Sequence, residues 1–231
     1  MAFLVAVEGI DGSGKGTQAA RLVENLRRRG LQAELISFPR YEFTQFGRKI
    51  GDFLNGRFGE LDQVHPLLVS LLFAGDRLES RPLLLDLCAR ADVVVCDRYV
   101  ASNAAHQGAK AQGIERRELL QWIEFVEYQQ HQLPRADLTI WLDVPVHVAQ
   151  DLIQKKSQRS YTDRAADLQE ADASYLQRVR EVYQELAGAD ATWQRIHAVE
   201  NGQLRSLEEI AGEVEAIVCG VWDRSRPTSA R

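Results

Sequence analysis

The sequence predicts an α/β fold in which one five-stranded parallel sheet is covered by helices on both faces. Short apolar, β-branched runs at residues 3–8, 32–37, 93–97, 137–143 and 194–199 alternate with helix-period segments at 15–29, 66–90, 114–130, 145–156, 168–187 and 205–219. Strands that are apolar throughout need cover on both faces, and parallel strands need a crossover, which the intervening helices supply. A glycine-rich turn joins the first strand directly to the first helix. At 231 residues the chain suits one such domain, expected over 1–222.

The first run, Phe3-Leu4-Val5-Ala6-Val7, is followed by Gly9-Ile10-Asp11-Gly12-Ser13-Gly14-Lys15-Gly16-Thr17. Glycines at this spacing let successive backbone N–H groups point inward, and a helix starting near Lys15 presents its positive end to phosphate. Residues 9–17 therefore read as a phosphate-binding loop for a nucleoside triphosphate, with Lys15 neutralising the β and γ phosphates. The face Gln18, Ala19, Leu22, Val23, Leu26 gives the helix that this reading requires, and Gly30 is placed to end it after the basic turn Arg27-Arg28-Arg29. The loop departs from the usual pattern in one place: Gly16 follows the lysine, and the hydroxyl residue, Thr17, comes second. Magnesium is therefore expected to meet Thr17 through water, if at all.

Composition narrows the class. Hydrophobic residues make up 45% and charged residues 26%, as in an ordinary globular enzyme, and a net charge of −5 argues against a nucleic-acid partner. No run approaches the roughly 18 apolar residues of a membrane span, and the start of the chain carries no secretory pattern. Cys88, Cys96 and Cys219 are odd in number and widely spaced, which reads as reduced thiols in a cytoplasmic protein. The polar, weakly periodic segment 155–167 reads as a mobile lid, and 223–231 as a disordered tail.

In sheets of this kind ligands gather at the carboxyl ends of the strands. Phe38-Pro39-Arg40-Tyr41 follows the second run and Asp97-Arg98-Tyr99-Val100-Ala101-Ser102-Asn103 the third. In Leu71-Leu72-Phe73-Ala74-Gly75-Asp76-Arg77 an aromatic ring and a guanidinium share a helical face at i and i+4. Taken singly, Phe73 reads as core, Arg77 and Arg98 as surface ion-pair residues, Asp97 as a strand end, Ser102 as a helix cap, and Pro39, Tyr41 and Asn103 as turn residues.

Taken together with the loop beginning at Glu8, the order and spacing of these segments resemble the thymidylate kinase family over nearly the whole chain. The resemblance implies a P-loop nucleoside monophosphate kinase fold and transfer of the γ-phosphoryl group of ATP to dTMP with Mg²⁺. It implies that Asp11 binds the sugar 3'-hydroxyl, Phe73 stacks on thymine, Arg77 bonds the base edge, Arg98 holds the dTMP phosphate and Asp97 sits near magnesium. Ser102, Asn103 and Gln107 would close the thymine pocket, Pro39 and Tyr41 would wall the nucleoside, and Arg40 fits an acceptor that already carries phosphate. Where some members have an arginine inside the loop, this chain has Gly12 and Ser13. Similarity to bacterial members with a catalytic arginine in the lid points to Arg159 first and Arg164 second, beside Lys155 and Lys156.

His106 stands where many members have tyrosine, and either fills that space or is a helix residue without a role. Asp167 and Glu170 either meet the nucleotide or make caps and surface contacts. Adenine is expected near Asn201-Gly202-Gln203-Leu204-Arg205, and the family implies a homodimer. The alternatives are another nucleoside monophosphate kinase of adenylate or uridylate type, suggested by Gly14-Lys15-Gly16-Thr17-Gln18, or a nucleotide-binding regulator without catalysis.

Overall fold

In the computed structural model, which describes residues 2–61, 63–154, 172–200 and 202–225, β1 (Phe3–Glu8) is buried at every position. Its place explains this: the sheet order is β2-β3-β1-β4-β5, so β1 has a parallel neighbour on each side. The other strands are β2 (Ala33–Ser37), β3 (Val93–Asp97), β4 (Leu138–Asp143) and β5 (Trp193–His197), all parallel. The five runs of the sequence became the five strands, β1 and β3 with the same ends and the others with ends shifted by one or two residues.

Successive side chains of β1 point to opposite faces. Phe3, Val5 and Val7 enter one core with α1 (Lys15–Arg28), α6 (Val146–Gln154), α7 (Ala173–Ala189) and α8 (Leu207–Ser225). Leu4 and Ala6 enter a second core with α3 (Pro66–Arg90), α4 (Val100–Gly108) and α5 (Gly113–Glu124). Helices on both faces thus exclude water from both sides of the sheet.

Several elements differ from expectation. α2 (Gln45–Leu54) carries two glycines, which weaken its helix signal. It forms because Thr44 caps it, accepting from the Gly47 N–H at 2.8 Å, and because Ile50, Phe53 and Leu54 bury a common face with Val69. α4 combines Val, Ser, Asn and Gly, all modest helix formers, and is held by packing between α3, α5 and α7. The helix expected over 114–130 changes to a π-helix at Phe125–Gln130, a widened turn that seats Glu127 in the interior. α8 runs to Ser225, three residues into the expected tail, because Trp222 packs edge-on against Phe3 at 5.8 Å. Residues 226–231 lie outside the described residues, as do 155–171.

The segment expected near adenine contains a short antiparallel pair, β6 (Val199–Glu200) and β7 (Gln203–Leu204), with Gly202 at φ +77° in the turn; Asn201 lies outside the described residues.

Candidate active site

The carboxyl ends of β1, β2 and β3, with α2, α3 and α4, enclose a cavity of about 340 Å³. Asp11, Gly12, Gly14, Lys15 and Gly16 of the glycine-rich loop form one end, and Phe38, Pro39, Tyr41, Phe73, Arg77, Asn103 and Gln107 the opposite end. Asp97, Arg98, Ser102 and His106 line it between them.

The loop after β1 is shaped by close approach as much as by its glycines' freedom. A Cβ at Gly9 would lie 2.6 Å from the Leu142 carbonyl oxygen, and Gly12, at φ +82°, presses on the backbone of Ala149. The loop is thereby pinned against β4 and α6. Gly14, at φ +83°, precedes the first turn of α1, and Gly14, Lys15 and Gly16 all line the cavity. The Lys15 ammonium donates to the Ile10 carbonyl at 2.7 Å and sits 3.4 Å from Ser13 Oγ. Burial, and next the Arg98 charge, pull its pKa down to about 7 against the opposing pull of Asp11, Asp97 and Glu8.

Arg98 occupies the left-handed region at φ +66°, unusual for a residue with a side chain. Its guanidinium pairs with Asp11 and donates from Nη1 to Ser102 Oγ at 3.1 Å. Burial is the largest single influence and opposes the Arg98 charge, but Asp11, Tyr183, Asp97 and Glu8 together outweigh it, so its pKa lies above the ordinary value. His106 Nε2 is 3.4 Å from Arg98 Nη1, and His106 Nδ1 is 3.0 Å from the Tyr175 hydroxyl. Arginine can only donate, so Nε2 accepts and Nδ1 carries the hydrogen, directed at Tyr175, whose own O–H goes to the His106 carbonyl at 3.0 Å. The ring is neutral, burial having pulled its pKa down to about 3.

At the opposite end, Arg77 and Glu127 form a buried two-point ion pair. The Asn103 amide donates from Nδ2 to the Ser70 carbonyl at 3.0 Å and to Glu127 Oε1 at 2.9 Å, which directs Oδ1 elsewhere. Neither Asn103 Oδ1 nor either end of the wholly buried Gln107 amide has a protein partner among the described residues. Buried amides are rarely left so, and here they line a cavity, which marks them as partners for a bound ligand.

Not every expected residue lines the cavity. Arg40 does not: its guanidinium lies 4.8 Å over the exposed Phe43 ring, while its N–H bonds the Asp76 carboxylate at 3.1 Å. Thr17 is exposed on α1. Gly9, Ile10 and Ser13 do not line the cavity either, although Ile10 and Ser13 lie against the Lys15 ammonium. Lys155, Lys156, Arg159, Arg164, Asp167 and Glu170 lie outside the described residues. Conversely, the sequence reading did not single out Ser37 and Leu54 in the wall, or Glu8, Asp76, Glu127, Tyr175 and Tyr183 behind it. Ser37 was findable as a strand end; the others become neighbours of the site only through packing.

Among the described residues no group of three or more His, Cys, Asp or Glu side chains could hold a metal. Magnesium bound with phosphates needs fewer, since one or two carboxylates, phosphate oxygens and water complete its shell. The Asp97 carboxylate fits that need, lining the cavity with its Oδ2 3.0 Å from where a Cβ at Gly16 would stand.

A family model described as thymidylate kinase matches residues 7–209. A thymidylate kinase of Mycobacterium tuberculosis (strain CDC 1551 / Oshkosh) is 34% identical over 186 residues, 80% of this chain and 86% of the relative. A probable thymidylate kinase of Pyrobaculum aerophilum is 36% identical over 220 residues, covering 94% and 96%. A probable thymidylate kinase of Pyrococcus abyssi is 30% identical over 218 residues, covering 94% and 95%.

Proposed function

The chain belongs to the thymidylate kinase family, and from that premise we propose how its own residues carry γ-phosphoryl transfer from ATP to dTMP. A phosphate oxygen of dTMP attacks the γ-phosphorus in line, the bond to the β-phosphate oxygen breaks, and dTDP and ADP leave. Such a transfer asks for positioning and positive charge, with little covalent work by the protein.

The observation that carries the acceptor assignment is the orientation of Asn103. Its two N–H bonds are committed to Ser70 and Glu127, so the cavity receives an acceptor, Oδ1. The N3–H of thymine donates to such a group; the bare N3 of cytosine cannot. Arg77, whose Nε and Nη2 are taken by Glu127, directs Nη1 to the O4 edge, and Phe73 supplies the stacking face. Arg98 holds the acceptor phosphate and Asp11 the 3'-hydroxyl, while the backbone of residues 9–17 and Lys15 hold the ATP phosphates. Asp97 would hold Mg²⁺, which supplies charge neutralisation between the β and γ phosphates when bound.

The remaining cation is proposed to come from the segment 155–167 acting as a lid, with Arg159 ahead of Arg164, because Gly12 and Ser13 leave the loop without an arginine. A homodimer is proposed from the family, supported by Leu68, Leu78 and Leu83, which α3 leaves exposed. The free Cys88, Cys96 and Cys219 support a reducing, cytoplasmic setting. No helix among the described residues is long and apolar enough to cross a membrane.

A coupled ADP-release assay with ATP and Mg²⁺ tests the reading, offering dTMP, dUMP, UMP, AMP, CMP, GMP and thymidine in turn. Preference for dTMP with rejection of CMP is the expected result. Preference for AMP or CMP would overturn the Asn103 assignment, and no turnover with any acceptor would favour a binding module.

A further inference from the structure

Glu8, the last residue of β1, is wholly buried, and no step of the transfer uses it. Its carboxylate accepts from the N–H of Tyr99 at 2.7 Å, the N–H of Ser102 at 3.2 Å, the Ser102 hydroxyl at 2.6 Å and the Tyr183 hydroxyl at 2.9 Å. Two of these donors are backbone groups of the segment that follows Arg98, and the third belongs to Ser102, which itself accepts from Arg98 Nη1. A chain of hydrogen bonds thus runs from Glu8 through Ser102 to the guanidinium.

The segment needs holding. Arg98 is in the left-handed region, which costs a side-chain-bearing residue free energy and persists only where surrounding contacts dictate it. Glu8 anchors the backbone immediately beyond it, and β1 anchors the residue itself, Arg98 N–H donating to the Val7 carbonyl at 3.0 Å.

The carboxylate also sets the direction of the Ser102 hydroxyl. Ser102 O–H points at Glu8, so the oxygen's lone pairs face Arg98. An amide at position 8 would donate to Ser102 instead, turn its hydrogen toward Arg98, and set donor against donor.

We infer that Glu8 is the positioning residue for Arg98, fixing through the Tyr99 and Ser102 backbone and the Ser102 hydroxyl the guanidinium that meets the acceptor phosphate. The inference rests on the reading that Arg98 holds that phosphate.

Calorimetric titration of dTMP, thymidine and ATP into the native protein, Glu8→Gln, Glu8→Asp, Ser102→Ala and Arg98→Met tests both. Glu8→Gln is expected to bind dTMP at least about tenfold more weakly, the effect of losing a hydrogen bond to a charged group, with thymidine and ATP affinities unchanged. Ser102→Ala, which keeps the buried carboxylate but also alters the cavity lining, should weaken dTMP binding more than ATP binding, and Glu8→Asp, which withdraws the carboxylate by one methylene, should show the phosphate-specific loss and decides the matter if Glu8→Gln does not fold. Arg98→Met losing no phosphate-specific affinity would overturn the Arg98 reading. If Arg98→Met loses it while Glu8→Gln, Glu8→Asp and Ser102→Ala bind dTMP as the native protein does, the inference on Glu8 fails alone. Equal losses for dTMP, thymidine and ATP would also overturn it, by showing a general structural role.

Discussion

Arg77 Nε donates to Glu127 Oε2 at 2.8 Å, with the arginine 2% and the glutamate 0% exposed. The pair joins α3 to the π-helix and holds Arg77 where it lines the cavity. Removing one partner from such a pair leaves the other charge buried alone, at a cost of about 3–5 kcal/mol. Glu127→Gln should therefore lower the melting temperature sharply and weaken dTMP binding, because its amide keeps one acceptor oxygen for three donors, Arg77 Nε, Arg77 Nη2 and Asn103 Nδ2, and sets an N–H against one of them. Arg77→Met combined with Glu127→Leu should recover stability without recovering dTMP binding. Thermal melts alongside dTMP titrations check this; an unchanged melting temperature in Glu127→Gln, or dTMP binding regained in the double variant, contradicts it.

ATP binding is expected to take up a proton at Lys15. With its pKa pulled down to about 7, chiefly by burial, its amine is mostly neutral at pH 8 in the free protein and mostly charged at pH 6. Triphosphate bound against it favours the charged form. Calorimetry of ATP binding in two buffers of different ionisation enthalpy should give an uptake approaching one proton at pH 8 and little at pH 6. Equal uptake at both values would refute the placement of Lys15 on phosphate. The same shift means that the unfolded chain holds this proton more tightly, so Lys15's contribution to the stability of the free protein rises with pH between about 7 and its ordinary 10.5.

His106 is expected to guard the sugar. Its Nε2 is 3.9 Å from Asp11 Oδ2, the carboxylate assigned to the 3'-hydroxyl, so the ring borders the space a ribose 2'-hydroxyl would need. His106→Ala should raise turnover of the ribonucleotide form of TMP relative to dTMP by about tenfold, the effect of relieving about one to two kcal/mol of steric exclusion. An unchanged ratio of kcat/KM values would show that the ring does not face the sugar. Because the ring is already neutral, with a pKa of about 3, no inflection from His106 should appear in the pH profile between 5 and 9.

Gly16 keeps the space beside Asp97 clear. A side chain there would begin 3.0 Å from Asp97 Oδ2 and press on that carboxylate. Gly16→Ser, although it restores the residue usual after the loop lysine, should raise the magnesium concentration needed for half-maximal activity. A lowered requirement would mean that the new hydroxyl replaces Asp97 as the inner contact.

The sequence alone determined the sheet, the phosphate loop and most of the pocket wall. Each of these is written in contiguous residues: apolar runs, the spacing from Gly9 to Lys15, and the short segments at the strand ends. The helices with weak local signals were decided by tertiary contact, α2 by burying Ile50 and Phe53 despite Gly47 and Gly51, and α4 by its packing among α3, α5 and α7. So were the partners that orient the site. Arg77 and Glu127 are 50 positions apart, and Glu8 and Tyr183 are 175 apart. Nothing in the spacing along the chain marks such pairs, because a buried charge or hydroxyl is matched to whichever group the packed helices bring within hydrogen-bond reach, and that is settled only when the core closes.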